Sequence, residues 1–259
     1  MSTPPQELID FAAHLARESG AMIVEYFNTP IAVQQKADNT PVTVVDRKAE
    51  ALMRTLIEAH YPEHQVLGEE DGLSGDPSSG YQWVLDPIDG TKAFIHGVPL
   101  FGTLIALVER GEPILGVIHL PVLGDMLIGA AERPTTLNGT PVRVSRVSEP
   151  EEATVLCTST SDLFRLGYGE GWQRIQRAFG LVRTWGDCFG HFLVATGRAE
   201  AMVDPVLSLW DVAALKPCIE GAGGTMTDVR GQVTGMGDSA LSTNGAVHEA
   251  VLAMLHTEG

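Results

Sequence analysis

The sequence has no long apolar run, few cysteines and few basic residues, and each shortage excludes a class of protein. No run of about eighteen apolar residues is present, so we expect no membrane-spanning helix and no membrane partner. Residues 1–5 contain neither a basic region nor an apolar core, so we expect no secretory signal. The cysteines, Cys157, Cys188 and Cys218, are odd in number and widely spaced, which argues against a disulfide framework or a zinc site and favours a reducing cytoplasm.

Acidic residues outnumber basic ones, 33 against 17, and the formal net charge is −16. A surface of this charge repels nucleic acid, which we therefore exclude as a partner. The charge suits metal cations or a positively charged substrate, although solubility alone also explains it. With 259 residues, of which 44% are hydrophobic, the chain is long enough for one large domain or two closely packed lobes.

Strand and helix patterns alternate along the chain, which predicts a layered α/β (α+β) fold. We place an N-terminal α+β lobe at residues 1–148 and a C-terminal α/β lobe at residues 149–259. The first lobe contains two long helices and a meander of antiparallel strands, with a last short strand at residues 142–144. His60 and His64 have a metal-binding spacing, but Pro62 interrupts the helix, and we interpret both as surface residues.

The most informative stretch begins with the apolar, β-type run at residues 81–85, which ends at the carboxylate of Asp86. Acids at the end of a buried strand lie at the edge of a sheet, where α/β proteins bind ligands. Pro87 prevents a simple continuation of the strand, so Asp86, Asp89 and the Ile88 carbonyl can turn toward one point. Such an all-oxygen cluster is the ligand set of a hard cation such as Mg²⁺.

Gly90 and Thr91 follow this cluster and offer backbone N–H groups at a possible helix start, which suits a phosphate group. Two other interpretations stay open for the stretch alone. An Asp-Gly turn between strands is common. A phosphatase with an aspartate nucleophile also ends its motif in Asp-Gly-Thr, but its two acids lie two residues apart, whereas here they lie three apart.

Further acids stand at element ends elsewhere in the chain. Glu69 and Glu70 follow a short strand, as Asp86 does. Asp46 lies in the first turn of a helix predicted from Thr43 to His60, where the helix dipole alone would favour a carboxylate. Asp211 opens an apolar helix, where it either caps the helix or points outward to a metal.

Three segments, at residues 68–70, 86–91 and 210–214, together resemble the inositol monophosphatase superfamily of Mg²⁺-dependent phosphatases. Their order and spacing match, and the resemblance covers nearly the whole chain. It implies an αβαβα sandwich, two or three Mg²⁺ ions in each active site, a small phosphate-ester substrate and a homodimer.

The resemblance also implies roles for individual residues. It implies five metal ligands, with Asp86 shared between two ions: Glu69, Asp86, the Ile88 carbonyl, Asp89 and Asp211. The amides of Gly90 and Thr91 would bind phosphate. Asp46 and the Thr91 hydroxyl would orient and deprotonate the attacking water, and Glu70 would assist catalysis beside a third ion.

The segment at residues 183–190, Arg-Thr-Trp-Gly-Asp-Cys-Phe-Gly, looks like the histidinol-phosphatase branch of this superfamily, which acts in histidine biosynthesis. The resemblance implies four substrate-binding residues: Lys36, Arg183, Asp187 and Asp204. The two acids would pair with the ammonium and imidazole groups of histidinol phosphate. Alternatively, Asp187 only caps a helix that starts at Phe189, and Arg183 pairs with a surface acid.

Trp210-Asp211 is the wording of the general inositol-type motif and keeps a second substrate class open. Three functions therefore remain: a histidinol-phosphate phosphatase, a phosphatase of inositol or sugar phosphates, and a non-catalytic metal or phosphate binder. Because every expected ligand position holds an acid, the non-catalytic protein is the least favoured.

Overall fold

The computed structural model describes residues 3–35 and 41–256, in which two β-sheets alternate with layers of helices. Up to residue 141 the elements, in chain order, are α1 (Gln6–Tyr26), β1 (Val33–Gln35), β2 (Pro41–Thr43), α2 (Val44–His60), β3 (Gln65–Gly68), β4 (Gly72–Ser74), β5 (Tyr81–Asp89), α3 (Thr91–Ile95), β6 (Gly102–Glu109), β7 (Glu112–Leu120), β8 (Asp125–Ala130), β9 (Arg133–Leu137) and β10 (Thr140–Pro141).

From residue 154 onward the elements, in chain order, are β11 (Thr154–Cys157), α4 (Thr160–Arg165), α5 (Gly169–Ala178), β12 (Leu181–Arg183), α6 (Asp187–Ala195), β13 (Ala201–Asp204), α7 (Leu209–Val212), α8 (Leu215–Gly221), β14 (Thr225–Thr227), β15 (Ala240–Thr243) and α9 (His248–His256). The first sheet has the order β10-β9-β8-β7-β6-β5-β3-β4, and the second has the order β12-β11-β13-β15-β14.

Side chains alternate between the two faces of each sheet and so build separate layers. On β5, Trp83 and Leu85 pack against α1 and α2, whereas Val84 faces the opposite layer. In that middle layer α6, α7 and α8 lie between the sheets and pack on residues of both, including Met202 of β13. Val203, the next residue on β13, points instead to the outer layer of α5 and α9. The predicted αβαβα sandwich is confirmed.

The middle layer joins residues from both predicted lobes in one hydrophobic core. Leu104 and Ile118 come from the first sheet, and Phe192 and Leu215 come from the helices of the second half. The predicted boundary at residue 148 lies in the irregular segment between β10 and β11. No helix in the described ranges is both long and apolar enough to cross a bilayer.

Several local predictions were wrong. The strand predicted to stop before Asp86 continues to Asp89, with a shift in its register against β6 between Asp86 and Asp89. Pro87 has no N–H to donate, so it interrupts the ladder without ending the strand. The strand predicted at residues 142–144 is absent from this described part of the chain, and β9 and β10 precede it instead.

His64 is also not a surface residue. Its ring is 7% exposed, stacks on Tyr61 and accepts a hydrogen bond at Nδ1 from Nε1 of Trp83, over 3.1 Å. The apolar helix predicted to open at Asp211 is instead two helices, α7, which begins at Leu209, and α8. Asp211 is not at the capping position, which Ser208 occupies.

Candidate active site

Three carboxylates meet at the end of β5 and the start of α7. Asp86, Asp89 and Asp211 each offer an oxygen atom, and these atoms lie within 4.8 Å of one another. Asp86 is 2% exposed and Asp89 is 8% exposed. A cavity of about 440 Å³ opens onto the three acids. The structure therefore brings together acids from both halves of the chain, as the sequence predicted.

The last residues of β5, where its register shifts, are held by nearby side chains. An oxygen of the Asp86 carboxylate accepts a hydrogen bond from the Ile88 backbone N–H, over 3.0 Å. The Thr91 hydroxyl donates to the Ile88 carbonyl over 3.0 Å, and the Thr103 hydroxyl donates to the Pro87 carbonyl over 2.8 Å. Gly90 follows with φ 83° and leads into α3. The Asp86 carboxylate and the Ile88 carbonyl are thus held in one compact turn.

The other two acids are held by helix starts in the second half of the chain. An oxygen of Asp211 accepts the Ser208 N–H over 2.7 Å, in a capping box at the start of α7. Asp89 accepts the N–H of Cys188, in the first turn of α6. Helix starts carry partial positive charge, which favours a carboxylate there.

Burial and mutual repulsion raise the pKa of all three acids. Loss of solvent is the largest cause for each of them, and neighbouring carboxylates add to it. The pKa values of Asp86 and Asp89 lie well above the ordinary 3.8, and that of Asp211 rises to about 6. Buried acids this close together cannot all carry charge unless a cation joins them.

The residues fit a hard divalent cation. The donors are oxygen atoms, they are largely buried, and they converge from two segments of the chain, as the ligands of a hard cation can. Lys92 is the basic side chain that lines this cavity, judged over the residues that the structure describes. One lysine does not balance the acids around it, so the cluster is suited to binding further positive charge.

Glu69, the other predicted ligand, lies beside the cluster. It follows β3, its N–H donates to the Leu85 carbonyl over 3.2 Å, and its side chain lines the cavity. It hydrogen-bonds to Asp86, and its charge contributes to the raised pKa of Asp86 and of Asp211. The Ile88 carbonyl belongs to a residue that also lines the cavity.

The three predicted catalytic residues are placed differently from one another. Thr91 lines the cavity. Asp46 is buried at the start of α2, where its carboxylate accepts the N–H and the hydroxyl of Thr43 over 2.8 and 2.6 Å. Burial raises the pKa of Asp46. Glu70 has a side chain that is 3% exposed and lies 3.8 Å from Nε of Arg47. The hydrogen bonds found for Asp46 and Thr91 do not connect them to each other, so their joint action on a water stays a prediction.

Asp187 lies on the wall of the cavity, with its carboxylate beside Gly90, the residue that follows β5. It adopts a left-handed conformation, with φ 53°, and its N–H donates to the Thr158 hydroxyl over 2.8 Å. Burial and the charge of Asp204 raise the pKa of Asp187 to about 7, whereas Lys92 opposes this rise. The helix α6 begins at Asp187, two residues earlier than predicted, and no side chain caps it. The alternative that Asp187 serves as its cap is therefore wrong.

Asp204 is buried and uses its carboxylate inside the protein. One oxygen accepts the Thr158 N–H over 3.3 Å, and the other lies 3.2 Å from Nε2 of His191, whose Nδ1 lies 2.8 Å from the Ser242 hydroxyl. Asp204 does not line the described cavity. It acts on the cavity through its charge, which raises the pKa of Asp187, and through Thr158, whose hydroxyl accepts the Asp187 N–H.

The remaining predicted substrate residues do not reach the described cavity. Arg183 is exposed on β12, where it donates to the Val182 carbonyl over 2.8 Å. Lys36 lies outside the residues that the structure describes. Sequence reasoning missed Lys92, Thr158 and Ser159, which all line the cavity. Lys92 could have been found from its position directly after the phosphate motif. Thr158 and Ser159 could have been found because they follow a buried strand, β11.

Comparisons with known proteins agree with this geometry. The sequence model of the Inositol monophosphatase family matches residues 5–259. The histidinol-phosphatase of Chlorobaculum parvum is 41% identical over 250 residues, which cover 95% of this chain and 96% of that protein. Inositol monophosphatase 1 of Rattus norvegicus is 30% identical over 89% of this chain and 87% of its own length. An inositol monophosphatase structure from Zymomonas mobilis superimposes with a TM-score of 0.86 at 33% identity and covers 97% of this chain and 98% of its own.

Proposed function

Because the chain belongs to the inositol monophosphatase family, and is therefore a phosphomonoesterase, we propose that it hydrolyses histidinol phosphate to histidinol and phosphate in histidine biosynthesis. The observation that carries this proposal is the carboxylate of Asp187 on the cavity wall, beside the acid cluster. The likeness to the Chlorobaculum parvum histidinol-phosphatase supports it.

The substrate chemistry fits an acidic cavity. Histidinol phosphate carries an ammonium group and an imidazole, and both gain from a nearby carboxylate. A charge-assisted hydrogen bond discriminates more strongly between substrates than a neutral one does. Asp187 would accept such a bond, and Asp204 would act by holding Thr158 and, through it, the Asp187 backbone.

The family is metal-dependent, and the acid cluster suits Mg²⁺. Glu69, Asp86 and the Ile88 carbonyl would hold one ion, and Asp86, Asp89 and Asp211 would hold a second, with a third beside Glu69 and Glu70. When bound, Mg²⁺ supplies a water of lowered pKa and neutralises negative charge on the phosphate.

Groups of the protein itself would bind the phosphate ester and accept the proton of the attacking water. The backbone N–H groups of Gly90 and Thr91, at the start of α3, would bind the phosphate oxygens. Asp46 and the Thr91 hydroxyl would orient the attacking water, with Glu70 in support. The raised pKa of Asp46 makes its carboxylate a stronger base near neutral pH, which suits proton abstraction.

A second candidate substrate is inositol 1-phosphate or a sugar phosphate. This second substrate class is favoured because the Asp204 carboxylate points away from the cavity. Its two oxygen atoms are already hydrogen-bonded to His191 and Thr158. Asp187 is then the acid left to recognise an imidazole or ammonium group, and it would equally accept a bond from a sugar hydroxyl. A homodimer remains a proposal that rests on the family resemblance, and a cytoplasmic location remains one that rests on the cysteine pattern.

Phosphate release from histidinol phosphate, inositol 1-phosphate and an aryl phosphate, with Mg²⁺ and with a chelator, tests the proposal. We expect Mg²⁺-dependent turnover with a clear preference for histidinol phosphate. Asp187→Ala should lower kcat/KM for that ester by roughly 10–100-fold, because it removes a charge-assisted bond. The aryl ester should change by less than about threefold, since it lacks the ammonium and imidazole groups.

Two results would contradict the proposal. Equal wild-type turnover of the histidinol and inositol esters would remove the preference itself. A parallel loss with both the histidinol and the aryl ester in Asp187→Ala would assign Asp187 to structure. Asp10→Ala, a change of an exposed acid on α1, controls for the loss of one negative charge.

A further inference from the structure

Glu50 is a fully buried acid that the proposed chemistry does not use. It lies on α2, one helical turn after Asp46, and it is 0% exposed. Its Oε2 accepts the Glu70 N–H over 2.8 Å, and its Oε1 accepts the Asp71 N–H over 3.0 Å. The carboxylate of Glu50 therefore binds the backbone of the turn at residues 68–71, which carries Glu69.

Arg54 completes the connection between α2 and this turn. Its Nε donates to Oε1 of Glu50 over 2.8 Å. Its Nη1 donates to the Ser74 hydroxyl over 2.8 Å, and its Nη2 donates to the Gly72 carbonyl. One guanidinium group therefore neutralises the buried acid and also fixes β4, the strand that follows the turn. The planar fork of arginine spreads its donors over three nitrogen atoms, whereas lysine has a single nitrogen atom that cannot reach all of these partners at once.

The backbone of the turn is fitted closely to this carboxylate. A Cβ atom on Gly68 would overlap the carboxyl group of Glu50. Glycine at position 68 lets the chain pass directly over the acid, so the next residue, Glu69, leaves the turn toward the cavity and toward Asp86. The geometry therefore links α2 to Glu69, a proposed metal ligand. The linking residues are Glu50, Arg54 and Gly68, and none of them lines the cavity.

We propose that Glu50 and Arg54 are positioning residues that set the affinity of the site for its divalent cation by holding Glu69 against Asp86. The inference rests on the proposed metal dependence of the site. A ligand held by the fold pays less ordering entropy when the ion binds, and residues that orient ligands typically change metal affinity by about 10–100-fold when mutated.

The test compares Mg²⁺ binding in wild type, Glu50→Gln and Glu58→Gln. Glu50→Gln keeps the shape but turns an NH₂ group toward backbone N–H groups that need an acceptor. Glu58 lies on the same helix and is exposed, so Glu58→Gln is a matched control. Calorimetric titration with Mg²⁺ without substrate, and the Mg²⁺ concentration for half-maximal turnover of an aryl phosphate, are the readouts.

We expect Glu50→Gln to weaken Mg²⁺ binding by about 10-fold or more in both readouts. KM for the aryl phosphate at saturating Mg²⁺ should stay within about threefold, because the phosphate contacts are unchanged, and Glu58→Gln should match wild type. A folded Glu50→Gln protein with wild-type Mg²⁺ affinity would overturn the inference and leave Glu50 a purely structural acid.

Arg54→Lys keeps the inference testable if Glu50→Gln does not fold. This variant retains the positive charge beside Glu50 but loses the simultaneous hydrogen bonds to Ser74 and Gly72. We expect its Mg²⁺ affinity to fall by roughly three- to tenfold. Unchanged affinity in Arg54→Lys would overturn the inference as well. Wild-type protein that binds Mg²⁺ without hydrolysing histidinol phosphate would contradict the proposed substrate and leave this inference standing.

Discussion

Asp187→Asn should stabilise the metal-free protein, and more so at high pH. In the folded state the pKa of Asp187 rises from 3.8 to about 7, chiefly by burial and then by the charge of Asp204. The folded protein therefore keeps a proton that the unfolded chain has released, and stability falls as pH rises from about 4 to about 7. Asparagine has nearly the same shape, tolerates the left-handed conformation at this position and does not ionise.

The size of the effect follows from the pKa. While Asp187 is protonated in the folded state and ionised in the unfolded chain, the free energy of unfolding falls by about 1.36 kcal/mol for each pH unit. Between pH 5 and pH 7 this fall amounts to roughly 3 kcal/mol. Structural relaxation and solvent at the cavity rim reduce this fall. The difference in unfolding free energy between Asp187→Asn and wild type should therefore grow by about 1–2 kcal/mol between pH 5 and pH 8.

Urea unfolding in the presence of a chelator, at pH 5 and pH 8, measures this growth directly. Asp10→Asn removes a charge of the same sign from the exposed face of α1 and serves as the control, with an advantage that should not depend on pH in this window. If the advantage of Asp187→Asn is the same at both pH values, the carboxyl group of Asp187 does not titrate against the buried acids, and the electrostatic account of the cavity is wrong.

Three further outcomes are expected. Asp89→Asn should reduce Mg²⁺-dependent turnover of an aryl phosphate by about 100-fold or more while circular dichroism stays native, and wild-type turnover would contradict the role of the cluster. Mg²⁺ should raise the melting temperature more at pH 8 than at pH 5, because Asp211, with a pKa of about 6, must lose its proton to bind the ion. An equal rise at the two pH values would refute the role of Asp211 as a ligand. Gly116→Ala should destabilise the fold by about 1–3 kcal/mol in urea, because its Cβ would overlap the Ala214 carbonyl where the middle helices pack on β7; an unchanged midpoint would show that the backbones can separate.

The layered fold was predictable because strand patterns alternate with helix patterns along the chain, which favours helices packed on the faces of sheets. What escaped prediction depended on partners distant in sequence. Pro87 suggested the end of a strand, yet β6 lies alongside and pairs with Asp89 after the interruption. His64 looked exposed after Pro62, but Trp83 supplies a donor that draws its ring inside.

The acid cluster could be predicted from motifs because its residues lie close to the end of β5 and in the first turn of α7, where direction is set locally. The orientation of Asp204 could not, since His191 and Ser242, which hold it, come from other elements. Glu50 did carry a signal. It lies three residues before Met53 and seven before Ile57, so helical spacing puts it on their buried face. A charged residue on such a face needs a partner, which is Arg54.

The shared middle layer ties the acid cluster to the packing of the two sheets. Asp86 and Asp89 belong to the first sheet, and Asp211 lies beside them only while α7 is docked between the sheets. A divalent ion that needs all three acids therefore favours the docked form, and scarcity of the ion favours chains whose sheets have not yet come together. Supply of the ion would then influence how much newly made protein matures and how much is degraded.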